Sequence, residues 1–476
     1  MMKGAEMTPE HRLHRLLRPR SVAIIGASED PHSLSGRPLE VLRQHGYPGR
    51  IYVVNPNRVQ VGGLAPYPSI AAVPEQVDLA VLAVRASLVP GIVAECAAAG
   101  VRAVVIFSSG FAETNSAGRA AQDRMAEVAG ASGMRLLGPN GEGFLNIPGG
   151  VAVSFSPTVD RRRGLANLTA GNLAIVSQSG GLGFALFNWG QAVGLGASFV
   201  VTTGNESDVD VLEVADALLG DGQTAVVALN IEGLRRPADL ALVAQRAREH
   251  GKHSVVAKLG SSAAGRRAVP VHTAHESGDE PEYARIFRAS GIVRAEDQED
   301  LLDICFALSR GRLMRGRRVG VVTTSGGAGI WMADACETHG LTVPELSAPT
   351  QAALRALMPP FGSAGNPVDV TAQMVTGGSI AAVLRTLCTS AEVDAAVLVA
   401  SLAAPDMLRR ESEGLRAVLA ELAMPVVIYS YTVPGRPSLE LLRELAAAWY
   451  PSPRRAARAL RAVIRFPPPP AAASPA

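Results

Sequence analysis

Short runs of Val, Ile, Leu and Ala alternate with longer stretches rich in Ala, Leu, Glu and Arg from Ser21 almost to the end of the chain. A strand covered on both faces reads as a continuous apolar run, and parallel neighbours need a crossover that is usually helical. The alternation therefore predicts an α/β fold of parallel sheets covered by helices. Strands are predicted over residues 22–25, 51–54, 79–84 and 103–107, with helical segments such as 90–99 and 117–131 between them. A polar, irregular stretch at 157–171, carrying Arg161, Arg162 and Arg163, reads as a linker. Strands at 173–176, 197–201, 225–230 and 254–258 follow, then a helix near 298–309 and a basic connector at 310–316. A last group of strands is predicted at 319–323, 395–400 and 426–429. The implied organisation is an N-terminal extension (1–20), three α/β domains (21–156, 172–312 and 317–465, the first two joined by the 157–171 linker) and a Pro/Ala tail (466–476). Pro467 to Pro470 can be neither helix nor sheet.

A length of 476 residues agrees with about three domains. With 47% apolar residues several cores are easily filled, and a net charge of +2 with dispersed basic residues offers no footprint for nucleic acid or an anionic membrane. No apolar run approaches the roughly 18 residues needed to span a bilayer, and the N-terminal residues lack the apolar segment of a secretory signal. A cytoplasmic location is the expectation. Cys96, Cys305, Cys336 and Cys388 are far apart, with neither metal-ligand nor redox spacing, so buried thiols are expected and no metal site.

Candidate chemistry begins where the run Leu173-Ala174-Ile175-Val176 opens into Ser177-Gln178-Ser179-Gly180-Gly181 and a helical pattern. The first N–H groups of a helix have no internal partner and the peptide dipoles add partial positive charge there, so such a turn suits an anion. The same design recurs at Thr323-Thr324-Ser325-Gly326-Gly327-Ala328-Gly329. Two such turns suggest that something phosphorylated is handled. After the first predicted strand, Gly26-Ala27-Ser28 leads through Ser35 into a helix, but without the G-x-G-x-x-G fingerprint of dinucleotide binders. The second strand ends in Asn55-Pro56, where a dinucleotide fold would carry an acid for the ribose hydroxyls, which argues against NAD and a Rossmann oxidoreductase.

Ile24-Ile25-Gly26-Ala27-Ser28, Val54-Asn55-Pro56 and Gly138-Pro139-Asn140, followed by the two Ser/Gly turns, Pro359-Pro360-Phe361 and Gly365-Asn366-Pro367-Val368-Asp369, resemble in their order the NDP-forming acyl-CoA synthetases. That superfamily includes ADP-forming acetate–CoA ligases and succinyl-CoA synthetase, and the resemblance covers roughly residues 18 to 465. It implies a Rossmann-like CoA-binding domain followed by two flavodoxin-like succinyl-CoA ligase domains. By the same resemblance His272 is a phosphohistidine and Glu232 the carboxylate that holds its ring. Ser177, Ser179, Gly180 and Gly181, with Ser325, Gly326, Gly327 and Gly329 from the third domain, would bind the phosphoryl group. Gly26, Ala27, Ser28, Ser35, Asn55, Pro56, Val84, Ser109 and Asn140 would hold coenzyme A. An imidazole suits the carrier role because it is nucleophilic while neutral near pH 7 and forms a labile N–P bond.

The sequence departs from the family pattern after His272, where Thr273-Ala274-His275-Glu276-Ser277-Gly278 brings an extra imidazole and carboxylate, and at Gly141 and Asn57, where many relatives carry Cys and Lys. The polar loop leaves the acyl substrate open, and with it whether His275 shares the work of an active ligase or the chain is a CoA-sensing homologue that lost the relay. No ATP-grasp module and no P-loop motif G-x-x-x-x-G-K-[ST] is found. The chain therefore resembles an α subunit, with ATP or ADP and Mg²⁺ on an ATP-grasp β subunit in a hetero-oligomer, and a small carboxylic acid as the third substrate.

Overall fold

The computed structural model describes residues 9–273, 275–375 and 378–464; the tail expected at 466–476, Ala274 and the first eight residues of the expected extension lie outside them. The chain divides into two compact units between Glu296 and Asp297.

The first unit carries β1 (Ser21–Ile25), β2 (Arg50–Val54), β3 (Leu79–Leu82), β4 (Ala103–Ile106), β5 (Arg135–Leu137), β6 (Gly143–Asn146), β7 (Val151–Ser154), β8 (Ala170–Ser177), β9 (Ala197–Thr202), β10 (Val226–Ile231), β11 (His253–Lys258) and β12 (Val293–Ala295). One sheet has the order β2-β1-β3-β4-β5 and is parallel throughout. The other runs β12-β11-β10-β8-β9-β6-β7, parallel from β12 to β9, with β6 and β7 antiparallel at the edge. Residues 143–154 fall in the first expected domain, yet they pair with β9 and extend the second sheet. The strands expected from apolar runs are present, because β1, β3, β4, β9 and β10 are buried along their whole length.

One continuous apolar core joins the two sheets, from Leu13, Leu16 and Ile24 through Phe144 and Phe199 to Val227 and Tyr283. Leu13 and Leu16 come from the helix Pro9–Leu17 and are fully buried, so this segment packs as part of the core. Each such side chain contributes roughly 1.5–3 kcal/mol of transfer free energy. Arg135 at the start of β5 adds a polar tie, donating to Asp208 at 2.9 Å and to Glu213 at 2.6 Å.

The second unit carries β13 (Val319–Thr323), β14 (Val368–Asp369), β15 (Ala395–Ala400), β16 (Val426–Ser430) and β17 (Ala448–Tyr450) in one parallel sheet, ordered β14-β13-β15-β16-β17. The helix Gln298–Leu308, expected to close the second domain, packs in this unit against the helix Pro453–Ala462, where Arg455 Nε donates to Asp303 at 2.6 Å and Arg458 pairs with Asp300 at 2.7 Å. All four cysteines are buried and unbridged, and burial pushes their thiols up. Among the described residues no helix is long and apolar enough to cross a membrane.

Candidate active site

Ser177 ends β8 and Ser179 caps the helix Gly180–Val193, its hydroxyl accepting from the Leu182 amide at 3.5 Å. The Ser177 hydroxyl is fully committed to the turn: it donates to the Ser179 carbonyl at 2.7 Å and accepts from Asn230 Nδ2 at 3.0 Å. Gly183 fits because a Cβ there would come within 2.9 Å of Thr202 and 3.0 Å of Ser177. Gly181 is exposed, so the first amides of the helix can meet a ligand.

The second turn repeats the device within its own unit. Thr323 ends β13 and donates to the Ser325 carbonyl at 2.7 Å, the helix Gly326–Thr338 follows, and a Cβ on Gly329 would meet Thr323 Cγ2 at 2.6 Å. Nothing lies within 4 Å of a Cβ placed on Gly327. Each turn is faced by a carboxylate: Glu142 Oε1 is 3.7 Å from a Cβ on Gly181, and Asp369 Oδ2 is 2.9 Å from one on Gly326. Burial holds the Glu142 carboxyl above its ordinary value, opposed by a hydrogen bond with Ser156 and by Arg37.

His272 lies in a short helical turn, Pro270–Thr273, and its Nδ1 is 2.9 Å from Glu232 Oε1. The carboxylate is 2% exposed and the imidazole 59%. An ionised carboxylate only accepts, so Nδ1 carries the proton and donates, leaving the lone pair on Nε2. Glu232 follows β10, and the chain around it is held from both sides. Gln178 Oε1 accepts from the Glu232 and Gly233 amides at 2.6 and 3.1 Å, while Lys258 Nζ donates to the Glu232 carbonyl at 2.8 Å. Burial brings the Lys258 ammonium down to about 8, and it sits 4.9 Å over the Tyr283 ring.

The other end of Gln178 donates to the Gly233 carbonyl at 2.7 Å and to Glu206 Oε2 at 3.0 Å. Glu206 is buried in the left-handed region at φ 56°, and also accepts from Thr203 Oγ1 at 2.9 Å and the Val211 amide at 2.8 Å. Burial lifts its carboxyl to about 7, with nearby Asp210 adding to the rise. His275, from the loop that departs from the family pattern, is buried against this group: Nε2 is 3.3 Å from the Gly204 carbonyl, so it donates there, and 3.7 Å from Glu206. Burial lowers its pKa, which keeps the ring neutral. Glu276 is exposed.

At the C-terminal edge of the first sheet, the expected CoA residues are gathered from beyond five strand ends. Gly26 adopts φ +85°, and a Cβ there would strike the Ala83 carbonyl at 2.8 Å and Val84 at 2.5 Å. Asn55 Nδ2 donates to the Ala27 carbonyl at 2.9 Å, the Ser28 amide donates to the Ser35 carbonyl at 3.3 Å, and Ser108 Oγ donates to the Val84 carbonyl at 2.6 Å. Pro56 and Ser109 are exposed at this edge. Asn140 ties the edge to the histidine, its Nδ2 3.2 Å from the His272 carbonyl and 3.2 Å from Asn205 Oδ1. Gln178, Lys258, Glu206 and Glu142 were not singled out by the sequence. The available signal was position alone, since three of them lie at or just beyond the C-terminal ends of β8, β9 and β11.

A carboxylate-held imidazole, a strand-to-helix anion turn and a CoA-type sheet edge within one α/β unit define an acyl-CoA ligase type of protein. Family models match in the same order: the CoA binding domain over residues 20–146, the succinyl-CoA ligase like flavodoxin domain over 170–308 and the ligase-CoA domain over 319–403. The chain is 32% identical over 471 residues to the acetate–CoA ligase [ADP-forming] I subunit alpha of Pyrococcus furiosus, covering 95% of this chain and 97% of that one. It is 32% identical to trans-feruloyl-CoA synthase FCS1 from an unknown prokaryotic organism, over 96% of this chain and 65% of the other. It spans about half the length of other curated relatives that it matches. Among solved structures, the dinucleotide-forming acetyl-coenzyme A synthetase 1 of Ca. Korarchaeum cryptofilum, in complex with phosphate and ADP, superposes with a TM-score of 0.84 at 30% identity, covering 95% of this chain and 96% of that one. The chain belongs to the NDP-forming acyl-CoA synthetases, a family of acid–thiol ligases, as an α-type chain of the ADP-forming kind.

Proposed function

We propose that His272 carries the phosphoryl group of an ADP-forming acid–CoA ligase and that Glu232 orients its ring. The observation that carries this reading is the 2.9 Å bond from Nδ1 to a buried carboxylate on an otherwise exposed imidazole. In the forward direction Nε2 attacks the γ-phosphorus of ATP and ADP departs. The imidazolium that forms is stabilised by Glu232, as a carboxylate behind a histidine does in nucleophilic triads. A carboxylate oxygen of the acid then attacks phosphorus, the N–P bond breaks, and an acyl phosphate results. Finally the CoA sulfur attacks the acyl carbon, its proton is lost, and inorganic phosphate leaves with the thioester formed. Both the acyl phosphate and the thioester are energy-rich, so the sequence runs in either direction.

Ser179, Gly180 and Gly181 present the amides that take the phosphoryl oxygens, with Ser177 fixing the turn, and Ser325, Gly326, Gly327 and Gly329 form a second phosphoryl-binding turn. Coenzyme A lies along the edge made by Gly26, Ala27, Ser28, Ser35, Asn55, Pro56, Val84, Ser109 and Asn140. ATP or ADP with Mg²⁺ belongs to an ATP-grasp β subunit, and the acid is a small carboxylic acid.

The test is to incubate the chain with a matching β subunit and γ-labelled ATP. Acid-labile, base-stable label that disappears in His272→Ala is expected. Label retained in that variant refutes the assignment, and no label at all, with CoA still bound, makes the chain a CoA-sensing homologue.

A further inference from the structure

The second unit contains a cavity of about 350 Å³ with no part in this chemistry, lined by Ala307, Arg310, Arg312, Arg416, Leu419 and Val427, among others. Val426 and Val427 open β16 and Ala448 opens β17, so the cavity sits at the strand-start edge of the parallel sheet. The Ser325 turn follows the last residue of β13 and lies at the opposite edge. The two are separate sites within this unit.

Three guanidinium groups meet a single acid in this lining, Glu444, which is solvent-exposed. Arg310 is the telling one. Its Nε is buried with no hydrogen-bond acceptor; the guanidinium lies 4.8 Å from the centre of the Phe306 ring, with the Tyr450 phenol as a further electrostatic neighbour. Burial lowers the basicity of Arg310 and of Arg312, and no carboxylate offsets it. Arg312 Nη2 donates to the Ala420 carbonyl at 3.2 Å, and among the described residues Arg416 makes no side-chain hydrogen bond or ion pair. A half-buried cation with an orphaned Nε, in a cavity whose one acid is solvent-exposed, is unfavourable until an acceptor enters. Beyond the three cations and Glu444 the walls are Ala, Leu, Pro and Val, and the volume is at the small end of ligand sites.

We propose that this cavity binds a small organic anion, a carboxylate or phosphate monoester on an apolar body, with Arg310 and Arg416 gripping the head group. The apolar tail lies against Leu419, Val426, Val427 and Leu445. The planar fork of arginine fits both head groups through paired N–H donors. The proposal is independent of His272, so either can fail alone.

Calorimetric titration of the full chain with hexanoate, phenyl phosphate and neutral hexanamide tests it. Saturable binding of at least one anion near one equivalent is expected, with no binding of the amide. Arg310→Met and Arg416→Met should each weaken it by about tenfold or more, the scale of one charge-assisted hydrogen bond. His272→Ala should bind as the wild type does. Which anion binds identifies the head group. Thermal melting of Arg310→Met should match or exceed wild type, because a half-buried charge with an orphaned Nε is removed; Arg416, being exposed, offers a second variant free of folding effects. Absence of saturable anion binding, binding equally strong in both arginine variants, or binding lost in His272→Ala overturns the proposal.

Discussion

Replacing Gln178 by Leu separates the scaffold of the site from its chemistry. The amide has four hydrogen-bonding valences and all four are used: two acceptor positions on the Glu232 and Gly233 amides, and two donors to the Gly233 carbonyl and Glu206. Leucine keeps the bulk and leaves two buried N–H groups, one carbonyl and one carboxylate without this partner. At about 1–3 kcal/mol for each orphaned buried group, and with partial rescue by an entering water, the loss is about 4 kcal/mol. Glu232 also loses the anchor on its N–H side, and a carboxylate displaced by about 1 Å slows chemistry by about a hundredfold. The assays are urea denaturation, hydrogen exchange at the amides of Glu232 and Gly233, and the rate of phosphohistidine formation with a β subunit. Gln178→Glu retains both amide contacts and should recover much of the amide protection at pH 5, where Glu206 is protonated, and much less at pH 8. Wild-type exchange at both amides in Gln178→Leu would refute the network. Fast exchange with an unchanged phosphorylation rate would refute its link to Glu232.

Three further perturbations follow from the geometry. Glu232→Gln keeps an acceptor for Nδ1 but removes the charge, so phosphoryl uptake should fall about tenfold to a hundredfold, the value of a charge-assisted over a neutral hydrogen bond, with an unchanged urea midpoint; an unaltered rate in stopped-flow quench would count against the triad role. Glu206 is lifted from 4.5 to about 7, so the folded chain binds a proton more readily than the unfolded one. Its contribution to stability is therefore intact below pH 4.5 and is lost as the pH rises to 7, at about 1.4 kcal/mol per unit, and Glu206→Gln should flatten the pH profile of unfolding across that window. Gly329→Ala forces a Cβ to 2.6 Å from Thr323 Cγ2, a branched atom at a strand end, and should destabilise the second unit by about 1–3 kcal/mol while melting of the first is unaffected, as calorimetry would resolve.

The strands legible in the sequence are those buried on both faces, such as β1, apolar after Ser21, and β15, apolar throughout. Those it missed are short or marginal. β14 is two residues, and β6 and β7 carry apolar side chains that state burial without naming the strand beside them. The Ser/Gly turns were legible because an N-cap and a close approach of helix to strand leave a local residue pattern. His272 and Glu232 are 40 positions apart and came from family resemblance; nothing in their spacing pairs them. Gln178 and Glu206 were illegible for a related reason, since Gln178 acts on backbone groups 54 and 55 positions away and meets the Glu206 carboxylate 28 positions away.

The two anion turns show how much of a site can be local. In both, the hydroxyl of the last strand residue, Ser177 or Thr323, closes on the carbonyl two residues ahead at 2.7 Å, and the glycine six positions after it lets the first helical turn rest on that same side chain. A device made of contacts within seven residues can be built twice in one chain without any shared long-range network. What distinguishes the copies is non-local. The first is enclosed by Gln178, Glu206 and His275, and stands in the unit that supplies Glu232 and His272. The second has none of these among the described residues of its unit, and its facing acid, Asp369, comes from the adjacent strand β14. The backbone amides of such a turn can hold a phosphoryl group, but unlike an imidazole they are not nucleophiles that accept one. On the function proposed above, the covalent step falls to the first unit, which holds His272, and the second turn would be left with electrostatic work on an anion.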